Sequence, residues 1–275
     1  KDKDKDKKKR TKKQDLQADI EKTLAAMLKS LDIDVSDGPI WRTMRVSTTG
    51  TEIRRNAALR DLVENRGRTV HDAASGRVGY VHVPDTTQLG FAEFYRYFGQ
   101  ECEREALIVD LRCNSGGYAS ELFLKHLRSL PIGWNIPRPR RGRRNVTPEF
   151  CTSGRLVVLV DENTSSDGEI WAEALQRLRL GKVVGMRTWG GVCSVDDDVE
   201  FIDGSTASIP CEHFFMSGGT GYALENRGVE PDVVVEWPPR SPNLTDPQLQ
   251  AAISEALAML DPAPGRGALG PPEIP

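Results

Sequence analysis

The chain has 275 residues, of which 38% are hydrophobic and 28% charged, which is typical of a globular protein with a sizeable core. The net charge is −3, and no apolar run approaches the roughly 18 residues of a membrane span, so no membrane partner is expected. The chain begins with Lys1 and no apolar segment follows, which predicts a fragment or processed product without a secretory signal peptide.

The first thirteen residues contain nine basic and three acidic side chains. Such a run is typical either of an arm that binds nucleic acid or of a solvated linker. Because Lys and Asp alternate and partly neutralise each other, we predict that residues 1–15 are a disordered segment, with no nucleic-acid partner. A second basic cluster, Arg138–Arg144, has no interleaved aromatic residues and is predicted to be an exposed loop.

Residues 16–74 are predicted to form a helical and irregular N-terminal region. Apolar residues at helical spacing predict one helix over Leu16–Leu31 and a second over Glu52–Glu64. The stretch from 32 to 55 is mixed and rich in turn residues, so it predicts a boundary rather than a regular element.

Over residues 75–240 strands alternate with helices, which predicts an α/β core domain. Strands are predicted over residues 79–85, Ala106–Leu111 and Leu156–Val160, each followed by a helix, and then at Lys182–Gly185, Phe201–Ile202, Thr206–Ile209 and Val233–Trp237. Continuous apolar runs are typical of strands that are buried on both faces. The last region, 241–275, predicts a helix over Asp246–Leu260 and a disordered tail rich in Pro and Gly.

The five cysteines are an odd number with no CxxC pair, which predicts neither a disulfide framework nor a zinc site. Reduced thiols are the default in the cytoplasm, so a cytoplasmic protein is expected. No metal and no other cofactor is predicted.

Two of the strand-to-helix turns share an architecture in which small polar residues lead from a buried strand into a helix. They are Asp110–Gly117 and Asn163–Gly168. A helix N-terminus presents unpaired N–H groups, and paired glycines let the backbone approach a substrate, so such turns are able to form an oxyanion hole. The serines of the second turn are candidates for a nucleophile or for simple helix caps, and no GxSxG motif decides between the two.

Five blocks of sequence follow one another along the chain. They are GRVGYVHVPD at 76–85, LIVDLRCNSGG at 107–117, SSDGEI at 165–170, GMRTWGG at 185–191 and ENRGVEPD at 225–232. Together they resemble the tail-specific, C-terminal-processing serine peptidases, and within them the tricorn core protease type. The resemblance covers roughly residues 52–260. It implies a ClpP/crotonase-like spiral of strand–strand–helix units that acts on peptides or unfolded proteins, and it leaves a homo-oligomer open.

Matched position by position, the resemblance implies that Ser166 is the nucleophile of an acyl-transfer reaction. The backbone N–H of Asp167 would form half of the oxyanion hole, and Gly116 or Gly117 would supply the other half. Glu225 matches the family glutamate that helps to orient the general base. A serine hydroxyl is a weak nucleophile until such a base takes its proton.

The base itself is not found. Tail-specific peptidases usually use a Lys after the nucleophile, but Gly191 stands at that position and Lys182 lies on a different predicted strand. The tricorn type uses a His before its PDZ domain, and neither that segment nor a complete PDZ domain is recognised here. No role is assigned to the four histidines, His71, His82, His126 and His213. We therefore predict little or no peptidase activity for the isolated chain.

Substrate preference and two further functions stay open. In the tricorn type an Asp favours basic side chains, but the matching position falls near Asn135, which is uncharged.

The chain could be a catalytically incomplete peptide-binding relative, or a fragment of a larger tricorn-like protease. Acyl-CoA chemistry of the crotonase kind is a third function, and the Ser-Asp-Gly motif argues against it.

Overall fold

A computed structural model of the protein describes residues 31–36, 41–46, 51–135, 145–218, 221–237 and 245–260. The chain divides into two units, residues 1–62 and 63–275. The first basic run, the Arg138–Arg144 cluster and the tail from Pro262 lie outside the described residues. So does the first predicted helix, except for its last residue, Leu31.

The first unit contains an antiparallel pair of strands, β1 (Leu31–Ser36) and β2 (Trp41–Val46). The sequence analysis predicted no regular element here, which is wrong. The residues 37–39 that suggested irregular structure lie outside the described residues. Helix α1 (Thr51–Ala73) begins in this unit and extends beyond the predicted end at Glu64.

The second unit contains the remaining elements. Its strands are β3 (Val78–His82), β4 (Ala106–Asp110), β5 (Gly133–Asn135), β6 (Asn145–Thr147), β7 (Leu156–Val160), β8 (Gly181–Gly185), β9 (Ser194–Glu200), β10 (Thr206–Glu212) and β11 (Val233–Val234). Its helices are α2 (Gln88–Glu101), α3 (Ser120–Leu127), α4 (Asp167–Arg177) and α5 (Pro247–Ala258).

A five-stranded parallel sheet forms the centre of this unit, in the order β11-β8-β7-β4-β3. Strands β3, β4 and β7 are buried along their whole length, and for β4 the continuous apolar run Ala106–Leu111 predicted this. Helices α2, α3 and α4 connect neighbouring strands of the sheet in turn. The predicted α/β fold is therefore confirmed.

Alternate residues of each strand point to two different cores. On one face Val109 and Val158 pack with Phe94, Phe123 and Trp171 of helices α2, α3 and α4. On the other face the neighbouring strand residues pack against the second half of α1 and against α5. Because both faces are covered, the turns that follow the strands are left as the accessible part of the sheet.

Two small antiparallel pairs lie outside the main sheet. Strands β5 and β6 were not predicted, since each has only three residues. Strands β9 and β10 pair with register shifts, and the predicted strand at Phe201–Ile202 is wrong. There the chain turns instead, because the N–H of Phe201 donates to Ser205 O and the side chain of Ile202 is fully exposed.

Candidate active site

The second predicted turn places Ser166 at the start of α4 in an unusual backbone conformation. Its φ and ψ are 54° and −127°, although a non-glycine residue rarely adopts a positive φ. The side chain is half-buried. Residues held in such a conformation cluster at functional sites, where the surrounding structure fixes them.

Gly116 of the first turn lies directly against this serine. A Cβ atom placed on Gly116 would lie 2.5 Å from Ser166 Cβ and 3.0 Å from Ser166 Oγ, and the φ of Gly116 is +81°. Only glycine tolerates both the positive φ and the close approach. The two turns are therefore in contact, as the sequence analysis expected, while the catalytic roles of their residues stay predictions.

The N–H groups around Ser166 differ in whether they are paired. The N–H of Gly116 donates to Asn114 Oδ1 at 2.8 Å. Among the hydrogen bonds of the described residues, neither Gly117 nor Asp167 uses its backbone N–H. The carboxylate of Asp167 is occupied separately, since it accepts from the N–H and the hydroxyl of Ser120 at 3.0 and 2.6 Å. Within the part of the chain that the structure describes, these two backbone donors thus have no protein acceptor.

Asn114 is a buried connection between the two turns that the sequence analysis did not single out. Its Nδ2 donates to Val83 O at 2.8 Å, and its carbonyl accepts from the N–H of Ser165 at 2.9 Å. A Cβ atom on Gly168 would lie 2.6 Å from Asn114 Oδ1. The glycine of the Ser-Asp-Gly motif therefore makes room for this side chain.

The carboxylate of Glu169 binds the backbone of Ser166, and the sequence analysis did not identify this residue either. Its fully buried carboxylate accepts from the N–H of Ser166 at 3.1 Å and of Gly191 at 2.9 Å through Oε2. Oε1 accepts from the Thr188 hydroxyl at 2.5 Å and the Gly190 N–H at 2.6 Å. The spacing Ser-x-x-Glu at a helix start is the sequence signal that could have identified it.

Glu225 binds the short segment Val192–Cys193, which follows Gly191 in the chain. Its Oε2 accepts from the N–H groups of Val192 and Cys193 at 3.0 and 2.9 Å. The residue before Val192, Gly191, accepts the N–H of Ser166 through its carbonyl at 3.1 Å. Glu225 is thus connected to Ser166 through one short segment, and no direct bond joins the two.

The structure brings no histidine or lysine into hydrogen-bond contact with Ser166 Oγ among the residues that it describes. His71 bonds to Glu101, and Lys182 to Glu255. His82 faces the Arg112 carbonyl, and burial lowers its pKa. His126 packs among aromatic rings, where burial also lowers its pKa, and His213 lies against the ring of Tyr222. Within the described residues these side chains thus have other partners, and the lack of a base stays a prediction.

Asn135 is exposed on β5, and its Nδ2 donates to Thr147 Oγ1 at 2.9 Å. Within the described residues, no hydrogen bond joins this side chain to Ser166 or its neighbours. Its suggested link to substrate preference stays a prediction.

A buried ionic network lies at the start of the first turn, where β4 ends. Asp110 is fully buried and binds Arg112 through both oxygens, at 2.7 and 2.9 Å, and also accepts from Tyr80 Oη at 2.7 Å. Burial alone would raise the pKa of the Asp110 carboxyl, but the Arg112 guanidinium outweighs it and holds this pKa well below its usual range. Arg112 also binds Asp246, the N-cap of α5, at 2.8 Å.

Replacing Asp110 by Asn should destabilise the fold by about 3–5 kcal/mol at pH 7, because it leaves a buried guanidinium without its main partner. A lowered carboxyl pKa contributes stability above the unfolded pKa of about 4, and this is lost as the pH falls toward the folded value. Urea denaturation at pH 7 and pH 3 should therefore show a smaller difference between wild type and Asp110→Asn at pH 3.

The exposed pair of Glu121 and Lys125 on α3 provides the control. Glu121→Gln should cost less than about 1 kcal/mol at pH 7, since water screens such pairs. An Asp110→Asn protein as stable as wild type would show that the buried network contributes nothing.

None of the helices that the structure describes combines the length and the apolar character needed to cross a bilayer.

Comparison with known proteins identifies the class. Residues 77–235, more than half of the chain, match the model of peptidase family S41, so the chain belongs to this family. Among its relatives is the tricorn protease of Thermoplasma volcanium, 41% identical over 203 residues, a match covering 74% of this chain and 19% of the relative. Tricorn protease homolog 1 of Streptomyces coelicolor is 39% identical over 214 residues, covering 78% and 20%.

A solved structure shows the same similarity. The crystal structure of the tricorn protease superposes with a TM-score of 0.76 at 34% identity, covering 85% of this chain and 22% of that one. The resemblance and the fold inferred from the five sequence blocks are thereby confirmed. The chain spans about a fifth of the length of these relatives.

Proposed function

We propose that this chain is the core of a serine-type peptidase that hydrolyses peptide bonds in peptides or unfolded proteins, with Ser166 as the nucleophile. The observation that carries the proposal is the contact between the two turns. It places a strained, half-buried serine beside Gly116, with two unpaired N–H groups close by. Membership of a peptidase family supports the same chemistry.

The proposed reaction is acyl transfer in two stages. Ser166 Oγ attacks the peptide carbonyl carbon as a base takes the hydroxyl proton, and the tetrahedral intermediate releases the amine, which takes up that proton. Water then hydrolyses the acyl ester and restores the serine. The oxyanion of each intermediate would accept hydrogen bonds from the N–H groups of Gly117 and Asp167.

The choice of Gly117 over Gly116 follows from their hydrogen bonds. The Gly116 N–H is engaged by Asn114 and would have to break that bond to bind an oxyanion. The Asp167 N–H is at the first position of α4, where the helix dipole adds a favourable field for negative charge. A preformed donor pair needs no rearrangement during the reaction, which is the basis of its catalytic value.

Glu225 is proposed to orient the general base rather than to act as one. Its Oε2 is held by two backbone N–H groups, which fixes the carboxylate, while Oε1 has no partner among the described residues. A fixed carboxylate with one free oxygen is suited to receive an N–H of an imidazole.

The five free thiols support a reducing compartment such as the cytoplasm.

A second function is favoured by one observation, the lack of any base beside Ser166 within the described residues. The chain would then be a peptide-binding relative that keeps the fold and the turns but does not turn over substrate. Both functions use the same surface, so they differ only in the reactivity of Ser166.

Labelling with a fluorophosphonate probe separates the two, because an oxyanion hole promotes attack by the serine beside it even where no base is present, although slowly. The peptidase proposal expects slow labelling of the 275-residue chain at Ser166, complete loss of labelling in Ser166→Ala, and retention in the neighbouring Ser165→Ala. The Ser166→Ala protein should remain folded, since a serine cap contributes about 1 kcal/mol. A folded wild-type chain that is not labelled would favour the peptide-binding function.

A further inference from the structure

The loop Thr188–Gly191 presents one large aromatic side chain to solvent. The Trp189 side chain is 64% exposed, although its own backbone N–H donates to Thr164 O at 3.1 Å. The residues beside it are fixed as well, because Thr188, Gly190 and Gly191 all donate to the buried carboxylate of Glu169. A rigid loop thus carries an indole ring that is largely left in water.

The position of this ring relative to Ser166 is set by Gly191. A Cβ atom on Gly191 would lie 2.4–2.9 Å from three carbons of the Trp189 ring, so the ring rests against the Gly191 backbone. The carbonyl of the same glycine accepts the N–H of Ser166. Gly191 therefore contacts both the indole ring of Trp189 and the backbone of Ser166.

A second exposed aromatic side chain belongs to the other turn, directly after its two glycines. Tyr118 is 73% exposed and follows Gly116 and Gly117 directly in the chain. Its backbone is also fixed, since its N–H donates to Thr86 O at 3.1 Å. Trp189 thus lies beside Gly191, which binds the backbone of Ser166. Tyr118 is two residues after Gly116, which contacts the side chain of Ser166.

We propose that Trp189 and Tyr118 bind apolar side chains of an extended peptide, and that they make the site select apolar over polar residues near the scissile bond. The inference rests on the proposed function, because it names the substrate class of the same site. Continuity with the Ser166 turn commits the surface to a peptide, and an unfolded chain is the form in which proteins expose apolar side chains. Aromatic side chains have few rotatable bonds, so Trp and Tyr on fixed backbone bind such groups at little entropic cost.

Binding is tested in the Ser166→Ala background of the 275-residue chain, which prevents turnover. The probes are two fluorescein-labelled, unstructured ten-residue peptides of equal charge, one with central Phe and Leu and one with central Ser and Thr. Fluorescence anisotropy should show about tenfold or tighter binding of the apolar peptide, as expected for burying one large side chain. Trp189→Ala should weaken its binding by about tenfold, with little change for the polar peptide.

Trp189→Phe should retain most of the discrimination, and Tyr118→Ala should reduce it. The matched control is Leu178→Ala, which removes an exposed apolar side chain at the far end of α4 and should change neither affinity. Equal binding of the two peptides, or discrimination that survives in the folded Trp189→Ala and Tyr118→Ala proteins, would overturn the inference.

Fluorophosphonate labelling of the chain that retains Ser166 separates this result from the proposed function. Discrimination without labelling would support the aromatic surface and contradict the peptidase. Labelling without discrimination would support the peptidase and contradict the aromatic surface.

Discussion

Replacing Glu169 by Gln should lower the free energy of unfolding by about 2–4 kcal/mol and slow the labelling of Ser166 by a fluorophosphonate. The carboxylate accepts four hydrogen bonds and donates none. A glutamine must turn its NH₂ group toward one pair of these donors, so at least one buried backbone N–H loses its acceptor. Hydrogen bonds to a charged acceptor contribute about 1.5–3 kcal/mol each, which sets the size of the loss.

The measurement is urea denaturation at pH 7 together with the labelling rate under conditions where the variant is fully folded. Glu162→Gln is the matched control, because Glu162 directly precedes the same turn and is exposed. It should change stability by less than about 0.5 kcal/mol. A Glu169→Gln protein with wild-type stability and labelling would show that the buried carboxylate neither supports the loop nor positions Ser166.

The isolated chain should hydrolyse an unstructured peptide at least about 10⁴-fold more slowly than a tricorn-type relative assayed in parallel. Removing one member of a serine triad costs rates of this order, because only the oxyanion hole and substrate binding remain. Among the described residues, no imidazole or lysine amine contacts Ser166 Oγ. The assay follows cleavage of a labelled peptide by mass spectrometry over long incubation.

The accessible histidines supply the control for this prediction. His71→Ala and His213→Ala should leave the residual rate unchanged, since His71 bonds to Glu101 and His213 contacts the ring of Tyr222. Robust turnover that disappears in either variant would identify a relocated base and contradict the prediction.

The sheet was predictable because its strands carry their own signal. Ala106–Asp110 and Leu156–Val160 are continuous apolar runs, and a strand buried on both faces requires such a run. Short or exposed strands carry no comparable signal. Residues of β5 and β6 pair over three positions, and the described parts of β10 are largely exposed, so periodicity could not set their limits.

The candidate site was predictable only where residues of a motif act locally. Ser166 and Gly116 stand in recognisable turns, and the structure brings them into contact. Glu169 was missed although it lies three residues from Ser166, because its partners at Thr188–Gly191 are distant in the chain. The sequence analysis did not predict the ion pair between Arg112 and Asp246 for the same reason, since no local pattern connects residues 134 positions apart.

The ion pair between Arg112 and Asp246 also bears on the order in which parts of this protein fold. During synthesis residue 112 emerges long before residue 246, so the turn that carries Gly116 and Gly117 forms beside a buried guanidinium that still lacks one of its carboxylate partners. Closing a contact of such sequence separation is slow compared with forming a helix or a local turn. A nascent or proteolysed chain that ends before α5 would thus carry the turn with Gly116 and Gly117 without its complete support. Docking of α5 completes that support, because it brings Asp246 to Arg112.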